Sequence, residues 1–268
     1  MSNLSQYDEE TAVARLDERR FQGRVSGAWN IGDNPNGGYL LSLITEAFSQ
    51  AIEHPDPISI TTHYLRPGLA DTECEIEVDV LRTGRTLSTV RATLAQEGKA
   101  RLVVLAAYSD LGTPAGLDAD ITLPAPALPA PDLCMQRSGK DQGVELPILD
   151  RLDIRLDPAC ATPGAASKPL MRGMVRFVDG RAPDARSLLL FTDSFPPSPF
   201  SLLGSIGWVP TLELTVHVRR RPAPGWVAAE LRTDDLNQGR MVETGALWDS
   251  EGHLVAQSRQ IGLVMKRD

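Results

Sequence analysis

The sequence predicts an α+β fold built from two similar halves, each with one long helix wrapped by an antiparallel sheet. An apolar helical stripe is followed by alternating apolar strands, and this order occurs twice. Turn residues also recur at a nearly constant interval, which indicates a tandem duplication. The recurring pairs are Pro67 with Pro222 (222 − 67 = 155), Gly84 with Gly239 (239 − 84 = 155) and Gly98 with Gly252 (252 − 98 = 154).

The composition is that of an ordinary globular chain. It has 268 residues, 42% of them hydrophobic and 23% charged, which is enough for one large domain or two small ones. The net charge of −8 argues against a protein that follows nucleic-acid phosphates, so we expect no nucleic-acid partner. Residues 1–20 lack the apolar core of a signal peptide, and no later run approaches about 18 apolar residues. We therefore expect a cytoplasmic protein without a membrane span.

The three cysteines bear on metals and redox chemistry. Cys74, Cys134 and Cys160 are an odd number at wide spacing, which fits neither a disulfide framework nor a zinc site. The sequence also contains no glycine-rich nucleotide motif and no Gly-x-Ser-x-Gly nucleophile motif. We therefore expect reduced thiols, no metal and no cofactor.

The first half opens with a strand predicted over residues 20–31, which ends in a turn rich in glycine and asparagine. A helix is predicted over residues 40–52, because apolar side chains recur every three or four positions until Pro55 stops the pattern. Gly37 and Gly38 precede this stripe. Their lack of a side chain would let the first helical turn approach another part of the protein closely.

Four strands follow in the first half. Apolar and polar residues alternate within each run, and turns at Pro67, Gly84 and Gly98 separate the runs. Strands joined by such short turns pair antiparallel, so residues 1–110 are predicted to form one unit. The predicted strands are 58–64, 74–80, 86–96 and 99–109.

A proline- and alanine-rich connection separates the halves. Residues 111–145 show no sustained helical or strand period, and we interpret them as a link. The second half, residues 146–268, repeats the order of the first, with an added excursion over residues 158–169. It is predicted to contain a helix over 184–195 and strands over 148–156, 171–178, 211–219, 226–233, 241–248 and 254–264.

Asp193 is the carboxylate within the apolar stretch 188–204. A buried aspartate costs roughly several kcal/mol unless another group pairs with it, so its presence here indicates a functional site. The alternative is that Asp193 caps the last helical turn or faces water, since Pro196 and Pro197 cannot continue the helix. The sequence leaves both interpretations open.

Short motifs in both halves resemble one known family. They are Pro-Asn-Gly-Gly-Tyr at 35–39, His-Tyr-Leu-Arg-Pro-Gly at 63–68, Asp193 in the second helix, Thr-Leu-Glu at 211–213 and Gln260 in the last strand. In this order and spacing they resemble the acyl-CoA thioesterase II family, particularly its actinobacterial-type members. The resemblance covers nearly the whole chain. It implies a double hotdog fold, in which two tandem helix-wrapped antiparallel hotdog units form one continuous sheet.

The resemblance also implies a reaction and the residues that perform it. In this family an aspartate, a threonine or serine, and a glutamine hold the water that attacks the thioester carbonyl of acyl-CoA. The matching positions are Asp193, Thr211 and Gln260. A carboxylate can accept a proton from water, while a hydroxyl and an amide can direct the attack. Thr215 is an alternative to Thr211, because the residue after Glu213 is apolar where the family has a polar one, and we prefer Thr211.

The start of the first helix is the expected substrate contact. Gly37, Gly38 and Tyr39 would bind substrate there, with the two glycine N–H groups meeting the charge that develops on the carbonyl oxygen. The expected partner is acyl-CoA. Because one chain already contains both hotdog units, a monomer and a homo-oligomer joined through outer sheet edges both remain open.

Two other functions are compatible with the fold. A hotdog enoyl-CoA hydratase pairs its aspartate with a histidine five residues later, whereas this chain has Ser198 there. A non-catalytic acyl-binding protein would not need Asp193, Thr211 and Gln260 together, and their joint presence argues against that function. The arginine run 219–221 fits an exposed strand end better than a site for CoA phosphates.

Overall fold

One antiparallel sheet runs through both halves of the protein. The computed structural model describes residues 4–265 except 115, 118, 141, 142 and 206, and within these residues the sheet has thirteen strands. The alternating segments form strands because one face of the sheet is buried under helices. The sheet strands are β1 (Val13–Arg15), β2 (Arg20–Val25), β5 (Asp56–Tyr64), β6 (Thr72–Thr83), β7 (Ser88–Gln96), β8 (Lys99–Ser109), β9 (Met135–Gln136), β10 (Leu152–Leu156), β11 (Leu170–Phe177), β12 (Thr211–Val218), β13 (Val227–Asn237), β14 (Arg240–Trp248) and β15 (Leu254–Leu263), and a separate pair is formed by β3 (Asn30–Ile31) and β4 (Asn34–Pro35).

The two halves join edge to edge. β5 of the first half pairs antiparallel with β12 of the second, where Thr61 lies opposite Thr215 with the two hydroxyls 3.0 Å apart. The strand order is β1-β2-β6-β7-β8-β5-β12-β15-β14-β13-β11-β10-β9. Equivalent strands start at the predicted interval, β5 and β12 at 56 and 211 (211 − 56 = 155) and β8 and β15 at 99 and 254 (254 − 99 = 155). The predicted duplication and continuous sheet are confirmed.

The predicted first helix is confirmed as the second of five described helices and begins three residues before its apolar stripe. Asn36 caps it, since the Asn36 side chain accepts a hydrogen bond from the N–H of Tyr39 at 2.9 Å. None of the described helices is long and apolar enough to cross a membrane. The helices are α1 (Gln6–Glu10), α2 (Gly37–Ala51), α3 (Pro158–Ala161), α4 (Ser187–Thr192) and α5 (Pro199–Leu203).

The helix of the second half is shorter than predicted. It spans Ser187–Thr192 rather than 184–195, because Asp184 precedes the helix and its carboxylate accepts a hydrogen bond from the N–H of Ser187 at 2.7 Å. At the other end Asp193 is the C-terminal cap, and the prolines that follow cannot continue the helix. The prediction that Asp193 lies inside the helix is therefore wrong.

Two predicted strands are also shorter than expected. The strand over 20–31 ends at Val25, because the hydroxyl of Ser26 accepts a hydrogen bond from the N–H of Ala28 and starts a 3₁₀ turn. The strand over 148–156 begins at Leu152, after a 3₁₀ turn that opens with Pro147, a residue suited to the first position of a helical turn. Local polar and proline chemistry overrides the alternating pattern in both places.

Residues 111–145 contribute little regular structure. Their described part contains a 3₁₀ turn, Pro131–Leu133, and the two-residue strand β9, which pairs with β10 at the sheet edge. The division of the chain into a unit over 1–110, a connection over 111–145 and a second unit over 146–268 stays a prediction.

The two halves also meet through their helices. Gly38, in the first turn of α2, lies against α4 of the other half. A Cβ atom at this position would be 2.8 Å from both the carbonyl oxygen of Leu189 and the Cα of Leu190, which is closer than real Cβ contacts. For Gly38, the predicted close approach is therefore an approach of one half to the other.

The N-terminal helix α1 adds ion pairs between the halves. The Glu10 carboxylate accepts two hydrogen bonds of 2.8 Å from the Arg151 guanidinium and one of 2.8 Å from the indole N–H of Trp29. Asp8 pairs with Arg181 at 2.8 Å. These partly buried, bidentate contacts connect the start of the first half to the second.

Candidate active site

A cavity of about 430 Å³ lies where the start of α2 meets the end of α4. Both halves line it, because the helix ends face each other where the two halves of the sheet join. Its wall is mainly apolar, with a smaller set of polar side chains, as is usual for small-molecule sites. The polar residues used below are Asn36, Tyr64, Arg137, Asp193, Thr211, Glu243 and Gln260.

The Asp193 carboxylate is held by the first half of the chain. Its Oδ2 atom accepts hydrogen bonds from the N–H of Gly38 at 2.9 Å and from Nδ2 of Asn36 at 3.0 Å. Asn36 also donates to the Asp193 carbonyl oxygen at 2.8 Å. The positive end of the α2 dipole therefore faces this carboxylate. The sequence left open whether Asp193 caps the helix or belongs to a site. Its backbone caps α4, while its side chain lines the cavity.

The surroundings of Asp193 tune its proton affinity. Burial raises the pKa of the carboxyl to about 6, because the charged form loses solvation. Hydrogen bonds from the N–H groups of Gly38 and Gly37, the Asn36 amide and the charge of Arg137 act in the opposite direction. Asp193 is therefore ionised at neutral pH and still able to take up a proton.

Arg137 is a buried cation that the sequence did not single out. It is 3% exposed, lines the cavity and donates a hydrogen bond to the carbonyl oxygen of Ser194. Burial lowers the pKa of its guanidinium to about 10, so it remains charged at neutral pH. It lies in the proline-rich connection, where no period or motif marked it as part of a site.

Thr211 and Gln260 come together on adjacent strands of the second half. Nε2 of Gln260 donates a hydrogen bond to Oγ1 of Thr211 at 3.0 Å, and both side chains line the cavity. The register of β12 against β15 shifts between Thr211 and Glu213, which is a β-bulge at Leu212. Side chains alternate between the two faces of a strand, so one extra residue reverses the face of the residues before it. The bulge therefore places Thr211 on the same face as the buried Leu214.

Thr215 lies elsewhere. Its hydroxyl contacts Thr61 at 3.0 Å and donates to the Glu213 carboxylate at 2.5 Å. It is absent from the residues that line the cavity. Between the two threonines considered from sequence, the structure places Thr211 beside Gln260.

The three residues expected at the helix start have different surroundings. Gly37 lines the cavity. The N–H of Gly38 is engaged by Asp193, so it is not free to meet a substrate oxygen. Tyr39 is fully buried outside the cavity, where its ring stacks on Trp29 at 5.2 Å and its hydroxyl donates to the carbonyl oxygen of Glu10 at 2.7 Å.

Tyr64, part of the motif at 63–68, closes the cavity on the side of the first half. A Cβ at Gly37 would lie 2.9 Å from the Tyr64 ring and hydroxyl, so the glycine makes room for this side chain. The Tyr64 hydroxyl is buried and has no hydrogen-bond partner among the described residues. Burial raises its pKa, with further contributions from Asp193 and Glu213, so it stays protonated.

The cysteines lie away from this cavity. Cys74, Cys134 and Cys160 are buried, and none lines it. Burial raises the pKa of Cys74 to about 12 and also raises the pKa values of the other two thiols. Because raised pKa values disfavour the thiolate, the thiols are poorly suited to act as nucleophiles. Among the residues that the structure describes, no cluster of His, Cys, Asp and Glu could hold a metal ion.

We predict that the three cysteines are dispensable for activity. Replacement of all three by alanine should leave the specific activity of the folded protein within about threefold of the parent, because raised thiol pKa values disfavour the reactive thiolate. The measurement is the rate of thioester hydrolysis after a melting curve has confirmed folding. Loss of hydrolysis in a folded triple variant would show that a thiol takes part in the reaction.

The arginine run 219–221 forms ion pairs at a strand end. Arg221 pairs with Asp56 at 2.7 Å and with Asp110 at 2.8 Å, and Arg220 pairs with Asp120 at 3.0 Å. These carboxylates compete with any phosphate for the two guanidinium groups.

The continuous sheet with one helix-wrapped unit in each half defines a double hotdog protein. Residues 25–112 match the family model of the acyl-CoA thioesterase N-terminal domain, and residues 124–264 match that of the acyl-CoA thioesterase C-terminal domain. The chain therefore belongs to the acyl-CoA thioesterase family and is a thioester hydrolase.

Three individual proteins illustrate what this chain is similar to. A proposed thioesterase II from Thermobifida fusca YX is 31% identical, with a TM-score of 0.88 over 99% of this chain and 100% of the other. A hotdog-fold protein from Alicyclobacillus acidocaldarius, 19% identical, matches with a TM-score of 0.86 over 99% and 100%, which shows the fold. An uncharacterised protein of Mycobacterium tuberculosis H37Rv is 26% identical over 92% of this chain and 91% of its own length.

Proposed function

We propose that the protein hydrolyses acyl-CoA to a free acid and CoA, with Asp193 as general base and with Thr211 and Gln260 holding the attacking water. The observation that carries the proposal is the content of one cavity. A carboxyl whose pKa is about 6 lines it together with a hydroxyl and an amide joined at 3.0 Å. A base with a pKa near the working pH is the kind that general base catalysis favours.

The Thr211–Gln260 hydrogen bond determines what each group can offer to water. Because the Thr211 oxygen accepts from the Gln260 amide, its own O–H is left to donate to the oxygen of the water. The Gln260 side-chain oxygen can accept one water hydrogen, and the Asp193 carboxylate can accept the other. Such an arrangement directs a water lone pair towards the thioester carbonyl carbon.

The proposed reaction has two steps. As the water oxygen bonds to the carbonyl carbon, Asp193 takes a proton and the carbonyl oxygen becomes negatively charged. When this intermediate collapses, the carbon–sulfur bond breaks and the CoA sulfur leaves with the bonding electrons. Asp193 returns its proton to that sulfur, which gives the free acid, CoA and the starting carboxylate.

The start of α2 would serve the base rather than the substrate. Asn36 and Gly38 both donate to Asp193 Oδ2, which fixes the carboxylate and opposes the effect of burial on its pKa. Gly37 lines the cavity while its N–H also hydrogen-bonds to Asp193, so we assign it to the substrate side only as part of the wall, and we leave Tyr39 to the core. This modifies the expectation that all three helix-start residues bind substrate.

Product analysis with a panel of acyl-CoA esters of different chain length tests the function. We expect free CoA and free acid in equal amounts, well above the rate without protein, because a candidate base and groups able to hold water line the cavity, and among the described residues no histidine lines it as a partner for hydration. Formation of 3-hydroxyacyl-CoA from an enoyl-CoA would instead establish a hydratase. Saturable binding without turnover across the panel would establish an acyl-binding protein.

A further inference from the structure

A second carboxyl, that of Glu243 on β14, lies in the same cavity as Asp193. Glu243 is 5% exposed. Burial raises its pKa, and the nearby charge of Asp193 raises it further. Because a buried carboxyl is costly unless it is hydrogen-bonded, its partners show what it does there.

The partner of Glu243 is the segment that follows Asp193. Glu243 Oε2 accepts a hydrogen bond from the backbone N–H of Ser198 at 2.8 Å. The Ser198 hydroxyl lies 2.8 Å from the Thr233 hydroxyl on the neighbouring strand β13. Ser198 is therefore hydrogen-bonded to two strands of the sheet, β14 and β13.

The register of the sheet places the Glu243–Ser198 hydrogen bond beside the proposed water site. In the β14–β15 pair, Glu243 lies directly opposite Gln260, and in the β13–β14 pair it lies opposite Thr233. Residues opposite each other on paired strands point to the same face. The side chain that holds Ser198 is thus the direct cross-strand neighbour of the amide that would hold water.

The chain between Asp193 and Ser198 has little freedom. Pro196 and Pro197 have a fixed φ angle and no N–H, and Pro199 follows Ser198 directly. Fixing Ser198 therefore restricts where Asp193, five residues earlier, can place its carboxylate.

The first half lacks the corresponding carboxyl. In the β7–β8 pair, Val90 lies opposite Ala106, at the positions that match Glu243 (243 − 90 = 153) and Gln260 (260 − 106 = 154). Both are buried and apolar. The carboxyl and the amide occur together in the half that carries Asp193, although an apolar pair fills the same place in the other half.

We propose that Glu243 is a positioning residue for the reaction: through Ser198 it holds the Asp193 segment against the strand that carries Gln260. It acts by fixing the distance between the base and the groups that hold water. This role rests on the proposed function and extends it to a residue outside the catalytic trio.

Two substitutions separate positioning from simple packing. Glu243→Leu keeps the bulk but removes the acceptor, and it should lower kcat by about 10- to 100-fold with KM within about threefold, because small misplacements of reacting groups cost up to that much. Glu243→Gln keeps an oxygen that can accept from Ser198, so its kcat should stay within about fivefold of the parent. If Glu243 mattered only as a buried charge, both substitutions would remove that charge and lower kcat equally. A kcat retained in Glu243→Gln and lost in Glu243→Leu therefore supports positioning.

The parent is assayed first, so that an inactive parent refutes the proposed function and not this inference. Glu230→Gln on β13, where Glu230 pairs with Arg172 at 2.7 Å, is the control and should match the parent. If Glu243→Leu fails to fold, Thr233→Val removes the second contact to Ser198 and should lower kcat in the same direction. Parent-like kcat in the folded Leu or Val variant, or equal losses for Leu and Gln, would overturn the proposal.

Discussion

Replacing Asp193 by asparagine should lower kcat for acyl-CoA hydrolysis by about 100- to 10,000-fold, the usual contribution of a general base. Asparagine retains the size of aspartate, and its oxygen can still accept from the Gly38 N–H, but it cannot take a proton from water at neutral pH. KM should change little, because the lost interaction belongs to the transition state. Steady-state kinetics of parent and variant with one acyl-CoA ester measures both constants.

The pH dependence of the parent's hydrolysis rate is a second test of Asp193 as the general base. The pKa of Asp193 is about 6 in the folded protein, and only the ionised form can accept a proton. The rate should therefore fall as pH drops below about 6, by about tenfold per unit once the carboxyl is mostly protonated. In Asp193→Asn the residual rate should not show this acidic limb.

The two water-holding residues provide the comparison for Asp193. Thr211→Val and Gln260→Leu each remove one hydrogen-bonding group of similar size, so each should reduce kcat by less than Asp193→Asn does. If Asp193→Asn, folded by its melting curve, hydrolyses acyl-CoA near the parent rate, the assignment of this site is wrong. A large loss for Asp193→Asn beside parent rates for both other variants would keep the base and reject the trio.

Replacing Gly38 by alanine should destabilise the whole protein, with a loss of about 3 kcal/mol. Alanine normally favours a helix by about 1 kcal/mol over glycine, so the expected sign is opposite to that of helix propensity. The reason is that the new methyl would lie 2.8 Å from two backbone atoms of α4, and backbone cannot rotate away as a side chain can. The helices would have to separate at the junction of the two halves.

Chemical denaturation of parent and Gly38→Ala measures this loss directly. Gly116→Ala is the matched control, because nothing lies within 4 Å of a Cβ there, and its stability should stay within about 0.5 kcal/mol of the parent. An unchanged or raised stability for Gly38→Ala would contradict the described contact between α2 and α4.

Much of the fold follows from patterns that are local in sequence. The stripe over 40–52 predicted α2 and the alternation over 99–109 predicted β8, because a side chain's neighbours along the chain determine whether a helix or a strand can bury one face. The interval of about 155 residues predicted the duplication before any contact was known. Asp193 could also be singled out from local sequence as a candidate site residue, because it is a carboxylate within an apolar stretch.

The site depends on contacts that no local pattern records. The bulge at Leu212 turns Thr211 towards Gln260, and bulges arise from strand pairing rather than from residue periodicity. Gly38 and Asp193 are 155 residues apart, yet a hydrogen bond of 2.9 Å between them engages the Gly38 N–H at the helix start. Arg137 and Glu243 resemble ordinary surface charges in the sequence, and only the folded structure shows them buried and hydrogen-bonded to Ser194 and Ser198. The sequence by itself determined the two hotdog units and singled out the Asp193 carboxylate. The tertiary structure decided which groups face that carboxylate, because hydrogen bonds between distant segments exist only after both halves have packed.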